Sequence, residues 1–172
     1  MKKIFLIAGM FFAAVAITPA AQAQVSVKVN IGSQPGWGPT GYDYASFYYF
    51  PDYNFYFDVS RGQYIIYNNR KWSYTRSVPA SYRFDPYNAY KVVVNQNKPY
   101  QYNTTHKKTY AKYKGQGSKQ SVIRNSREYK YYESKDHPNH NQWSKQSKSS
   151  NKNTNKTTQK QQTKQTGNNR GR

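Results

Sequence analysis

No cysteine occurs among the 172 residues. That absence excludes disulfide staples, thiolate metal sites, cysteine nucleophiles and lipid attachment through an N-terminal cysteine, so any fold stands on packing alone. Acidic residues are scarce too: 7 Asp and Glu face 27 Lys and Arg, a formal net charge of +20. Hydrophobic residues reach only 35%, against about 45–50% in ordinary globular chains. The deficit is uneven along the chain, which predicts an ordered part and an unordered part. Missing as well are a phosphate-binding glycine loop, HExxH, GxSxG and a Ca²⁺-loop pattern. Enzyme activity is therefore not expected, and no cofactor is implied.

What is abundant is aromatic. Phe, Trp and Tyr make up 17% of the chain, with 19 tyrosines, far more than a generic disordered composition carries.

The only long apolar run lies at the start. In residues 1–23, MKKIFLIAGMFFAAVAITPAAQA, Lys2 and Lys3 precede an uncharged stretch from Ile4 to Ile17. Pro19 breaks it, and Ala21-Gln22-Ala23 offers a small-x-small cleavage pattern. The stretch is shorter than the roughly 20 residues that span a bilayer. A cleaved signal peptide is expected, with a mature chain from Gln24 that is exported to the periplasm, the outer cell surface or the medium and carries no integral membrane segment.

Residues 24–103 read as a tyrosine-rich β domain. Val25, Val27, Val29 and Ile31 alternate with polar residues and predict a half-buried strand. Gly and Pro residues around Trp37 predict a loop pinned by one ring. Phe47 to Phe50 opens an aromatic block, and Tyr53, Phe55 and Phe57 alternate as the inner face of a strand. A loop over Asp58 to Gly62, a returning strand over Gln63 to Tyr67, a turn at Asn68-Asn69 and a strand over Lys71 to Tyr74 follow. Asp85-Pro86 predicts a single helical turn, and Lys91 to Asn95 a last core strand. The fold class expected is mainly β: a small antiparallel sheet with short turns, followed by a long disordered basic C-terminal tail.

The stretches QPGWGPTGYDY, FYYFPDYNFYFDVSRGQYIIYNNRKW, SVPASYR and YKVVVNQNKPY resemble a family of small exported bacterial proteins. Members share a WGPxGYDY-like opening, a tyrosine-rich β domain and a basic polar C-terminal extension. The resemblance implies export and the domain boundary, and it carries over no catalytic residues.

From Lys107 onward, 17 basic residues stand against Glu128, Glu133 and Asp136. Residues 104–143 interleave Lys with Tyr and read as a mostly disordered linker; residues 144–172 have no side chain fit for a core and read as a disordered polar tail. A flexible polycation attracts polyanions through counterion release, and tyrosines add stacking surface. Candidate contacts are Lys107, Lys108, Lys112, Lys114, Lys145, Lys148, Lys152 and Lys156. For an exported chain the partners at hand are lipopolysaccharide phosphates, acidic polysaccharide and extracellular DNA.

Other chemistry is weaker. His137 and His140, with Asp136 nearby, lie on a proline-containing segment and read as solvent-exposed rather than metal-ligating. Asp52, Asp58 and Asp85 each have a turn or cap explanation, which leaves little for an acid–base pair such as Asp43 and Asp52. Trp37, Tyr48 and Tyr56 are candidates for an aromatic surface, and Trp72 reads as core. Exposed Tyr and Trp faces keep open a carbohydrate-binding module, and unpaired sheet edges keep open a self-assembling surface protein.

Overall fold

The computed structural model describes residues 28–117 and 119–149. Five antiparallel strands form one sheet: β1 (Phe47–Phe50), β2 (Phe55–Asp58), β3 (Gln63–Asn68), β4 (Lys71–Thr75) and β5 (Val92–Val94), in the order β4-β3-β2-β1-β5. The mainly β class is as expected.

Local chemistry sets the turns. Between β1 and β2, Asn54 takes a positive φ of 54°, and its amide donates to the Phe50 carbonyl at 2.8 Å. After β2, Asp58 Oδ1 accepts from the Ser60 hydroxyl at 2.7 Å and the Arg61 amide at 3.0 Å, and Gly62 supplies a φ of +63°. The β3–β4 turn falls on Asn69 (φ 50°) and Arg70 (φ 59°), one residue beyond the expected Asn68-Asn69. The pairing sets Tyr67 opposite Trp72 and Asn68 opposite Lys71, where a turn at Asn68-Asn69 would set Trp72 opposite Ile65; the observed register gains a directly opposed aromatic pair. Asp85 forms the expected single turn, accepting from the Tyr87 amide at 2.9 Å and, through its carbonyl, from the Ala89 amide at 2.9 Å.

The sheet is buried on both faces, not on one. Tyr48, Phe50, Phe55, Phe57 and Ile66 point to one side, where Trp37, Val78, Tyr82 and Phe84 pack on them. Tyr49, Tyr56, Ile65 and Val94 point to the other, under Trp72, Tyr100 and Tyr110. Edge-to-face aromatic contacts, such as Phe50–Phe84 at 4.9 Å and Trp37–Phe57 at 4.8 Å, fill the space that aliphatic side chains usually fill.

The second face is covered by residues expected to form a linker. A 3₁₀ turn, Pro99–Tyr102, leads into α1 (Asn103–Thr109), whose His106 is buried against Tyr49 and Tyr56. Farther on, residues 121–124 lie antiparallel to 36–40: the Ile123 amide donates to the Gly38 carbonyl at 2.9 Å and the Arg124 amide to the Gly36 carbonyl at 2.8 Å. Ile31, Ile123 and Tyr131 make a separate buried cluster. Over 104–143 the expectation of disorder is corrected. A few rings and two aliphatic residues, spaced widely in sequence, each find a prepared seat, and backbone pairing satisfies the polar atoms between them.

The strand expected over Val25–Ile31 is also corrected where it is described. Val29 is 55% exposed, and Ile31–Ser33 is a 3₁₀ turn. Asn30 takes the place of a strand partner, its side chain donating to the Ala45 carbonyl at 2.7 Å and accepting from the Ala45 amide at 2.9 Å. Val25 and Val27, like the signal peptide and residues 150–172, lie outside the described residues. Residues 140–149 are helical, so the tail expected to be disordered from 144 is helical up to 149. Among the described residues no helix is long and apolar enough to cross a membrane.

Candidate binding surface

Beneath α1 lies a closed hydrogen-bond chain. Asn103 Nδ2 donates to Asn54 Oδ1 at 2.8 Å and to the Tyr56 hydroxyl at 3.1 Å. The Tyr56 oxygen is 2.9 Å from His106 Nδ1, and His106 Nε2 is 2.9 Å from Gln96 Oε1. The Gln96 carbonyl oxygen only accepts, so Nε2 carries a proton; in the neutral ring Nδ1 then accepts from the Tyr56 hydroxyl. Burial pushes the His106 pKa below its ordinary value, consistent with that state. The Tyr49 hydroxyl donates to Asn54 Oδ1 at 3.1 Å, and burial raises its pKa to about 12. Burial likewise raises Tyr56, against the Asn103 hydrogen bond, which lowers it. Asn54 and Asn103 are thus held by a rigid, uncharged layer.

Above that layer a cleft of about 270 Å³ opens. Tyr67 and Trp72, directly opposite across β3 and β4, form one wall, with ring centroids 5.2 Å apart. Tyr100 continues it, 6.1 Å from Trp72 at an interplanar angle of 32°. Asn103, Thr104 and Lys107 line the other side, since residues three and four apart share one helical face. A larger depression of about 540 Å³, between Thr40 and residues 120–128, contains no aromatic ring and places Glu128 beside Arg127.

The candidate lysines fall into separate groups. Lys107, Lys108, Lys112 and Lys114 are exposed along α1 and the turn that follows. Lys145 and Lys148 are exposed on the 140–149 helix, and Lys152 and Lys156 lie outside the described residues. Among the described residues no carboxylate forms an ion pair with the first group. Asp52 Oδ1 accepts from the Gly115 amide at 2.7 Å, Asp136 Oδ2 from the Gly36 amide at 3.0 Å, and Asp43 pairs with Lys130 at 2.8 Å. Among the described residues only Arg61 and Lys130 pair with a carboxylate.

The aromatic candidates are corrected. Tyr48 and Tyr56 are fully buried, Tyr48 donating to Gln34 Oε1 at 2.8 Å, and Trp37 packs on the core. Trp72 packs on the core as expected, 5.5 Å from Tyr56 between ring centroids, and being only half-buried it also lines the cleft. The signal for it was present in sequence: Tyr67 and Trp72 flank a tight turn symmetrically and must share a face. His137 is buried as well, with Nε2 facing the Ser126 carbonyl at 3.0 Å and Nδ1 accepting from the Asn139 amide at 3.1 Å. His140 Nδ1 faces the Tyr132 carbonyl at 3.2 Å. Among the described residues no group of three His, Asp or Glu side chains is placed to hold a metal ion.

No protein-family model, curated protein or solved structure matches this chain. What the surface can do follows from its own chemistry.

Proposed function

We propose that this is an exported, non-enzymatic binding protein of the cell envelope or its surroundings, whose basic surface and tail hold anionic polymers. The observation that carries the reading is the run Lys107, Lys108, Lys112 and Lys114, exposed on a folded element and without an ion pair to a carboxylate among the described residues. Fixed lysines on a rigid support lose less entropy on contact than lysines on a free tail. Lipopolysaccharide phosphates, acidic polysaccharide and DNA all supply the complementary charge; the aromatic cleft beside the run favours polysaccharide.

The N-terminal pattern supports export, and mass spectrometry of the mature chain tests it, with Gln24 as the expected first residue. Binding is tested by retention on immobilised polygalacturonate across a salt series. Retention should fall steeply with salt, and replacing Lys108, Lys112 and Lys114 by Gln should flatten the slope by about one unit per lysine in contact. Retention indifferent to both salt and these substitutions refutes the reading.

A further inference from the structure

We infer that the cleft between Trp72 and α1 is a subsite for one carboxylated sugar unit, a uronic acid within an acidic polysaccharide. The inference rests on the polyanion reading above and adds a specific seat to it.

The walls decide the class of ligand. Carbon contacts need about 3.5–4.0 Å on each side of an inserted ring, so the 6.1 Å between Trp72 and Tyr100 admits nothing between them. They form a shallow platform on which a ring is laid, flanked by Tyr67, which is 50% exposed and tilted 56° from Trp72. The electron-rich ring faces attract the polarised C–H groups of a sugar. A volume near 270 Å³ lies at the small end of ligand pockets, about 300–1,000 Å³, which suits a single unit of a polymer running out at both ends.

The polar groups narrow the class further. Asn54, Gln101, Asn103 and Thr104 line the cleft, and Asn54 Nδ2, Asn103 Oδ1 and the side chains of Gln101 and Thr104 make no hydrogen bond among the described residues, leaving them capacity for a ligand. Asn54 and Asn103 are already oriented by their bonds to Tyr49 and Tyr56. Neutral donors and acceptors around an aromatic floor match a ring bearing several hydroxyls. Lys107 is the only charged residue lining the cleft, a point charge suited to one carboxylate. A single-stranded nucleic acid also stacks on aromatic rings, but it needs a charged groove that follows several phosphates.

The test uses the mature chain and trigalacturonate, with trigalacturonate methyl ester and an oligothymidylate as comparisons, read by calorimetry. Trigalacturonate should bind one site. Tyr67→Ala, at an exposed position, and Trp72→Ala should each weaken it about tenfold or more, the loss expected of one stacking ring. Lys107→Gln should abolish the preference for the free acid over the ester. Unaltered affinity in folded Tyr67→Ala and Lys107→Gln overturns the assignment, as does an oligothymidylate that displaces trigalacturonate at equal concentration. A wild-type chain that ignores trigalacturonate yet is retained on polygalacturonate in a salt-sensitive way overturns the subsite alone; retention indifferent to both salt and the lysine substitutions overturns the broader reading.

Discussion

The Tyr56 hydroxyl sits 2.9 Å from His106 Nδ1, joining the centre of the sheet to a helix 50 residues later in the chain. Both residues are buried, and the contact links the Asn103 bond at Tyr56 to the Gln96 bond at His106. The contact ties the cleft's two asparagines to the core.

Replacing Tyr56 by Phe leaves the His106 nitrogen and one Asn103 proton unpaired. An unsatisfied buried partner costs about 1–3 kcal/mol, so Tyr56→Phe should lower the thermal midpoint clearly. Phe is almost isosteric, so lost packing contributes little to the change.

The same histidine makes stability depend on pH. Unfolded His106 titrates near its ordinary 6.5, while burial holds the folded group lower. Between those two values the unfolded chain binds the extra proton, and stability falls with falling pH. Urea midpoints should therefore be level above about pH 6.5 and decline below it, with the decline from this group absent in His106→Gln.

At alkaline pH two effects oppose each other. Burial lowers Lys91 to about 8; its ammonium donates to the Pro86 carbonyl at 2.7 Å. That contribution rises as pH climbs from about 8 toward its ordinary 10.5. Burial raises Tyr48, Tyr49 and Tyr56, so the unfolded chain releases protons first above pH 10 and stability is lost there. Three tyrosines outweigh one lysine. The part of the tyrosinate absorbance that belongs to these three buried rings should appear in a cooperative step that coincides with loss of far-ultraviolet circular dichroism.

Gly36 marks where the later segment docks. A Cβ there meets the Asp136 Cβ at 2.8 Å and the Arg124 Cβ at 3.3 Å. Overpacking of this kind typically costs about 1–3 kcal/mol. Gly36→Ala should raise amide exchange across residues 121–137 more than across β1–β3.

Removing that segment should matter more than its composition suggests. Ile123 and Tyr131 are fully buried, and Ile→Ala in such a site costs about 2–5 kcal/mol. A chain ending at residue 102 exposes Tyr49, Tyr56 and Ile65 together and should aggregate or bind hydrophobic dye, whereas one ending at 149 should not.

Local pattern alone determined much of this protein. The aromatic run of β1, the alternation in β2, the returning β3 and β4, the Asp58–Gly62 loop and the Asp85 turn are all written in neighbouring residues, because turn chemistry and side-chain alternation act over two to five positions. Charge imbalance was equally plain. Which face of the sheet is covered, and by what, was not. Alternation says that Phe55 and Tyr56 point opposite ways, but it cannot say that His106 will lie over Tyr56 and Tyr110 over Tyr49. Composition made residues 104–143 look unable to fold, since sparse anchors such as Ile123, Tyr131 and His137 carry no periodic signal. Only the tertiary structure supplies their seats: Gly36 leaves room for Asp136 and Arg124, and Gln34 and Gly41 receive Ser134 and Tyr131 through hydrogen bonds. The same packing moved Tyr48 and Tyr56 from candidate surface to core and brought Trp72 to the edge of a cleft, because burial is decided by what arrives from far along the chain.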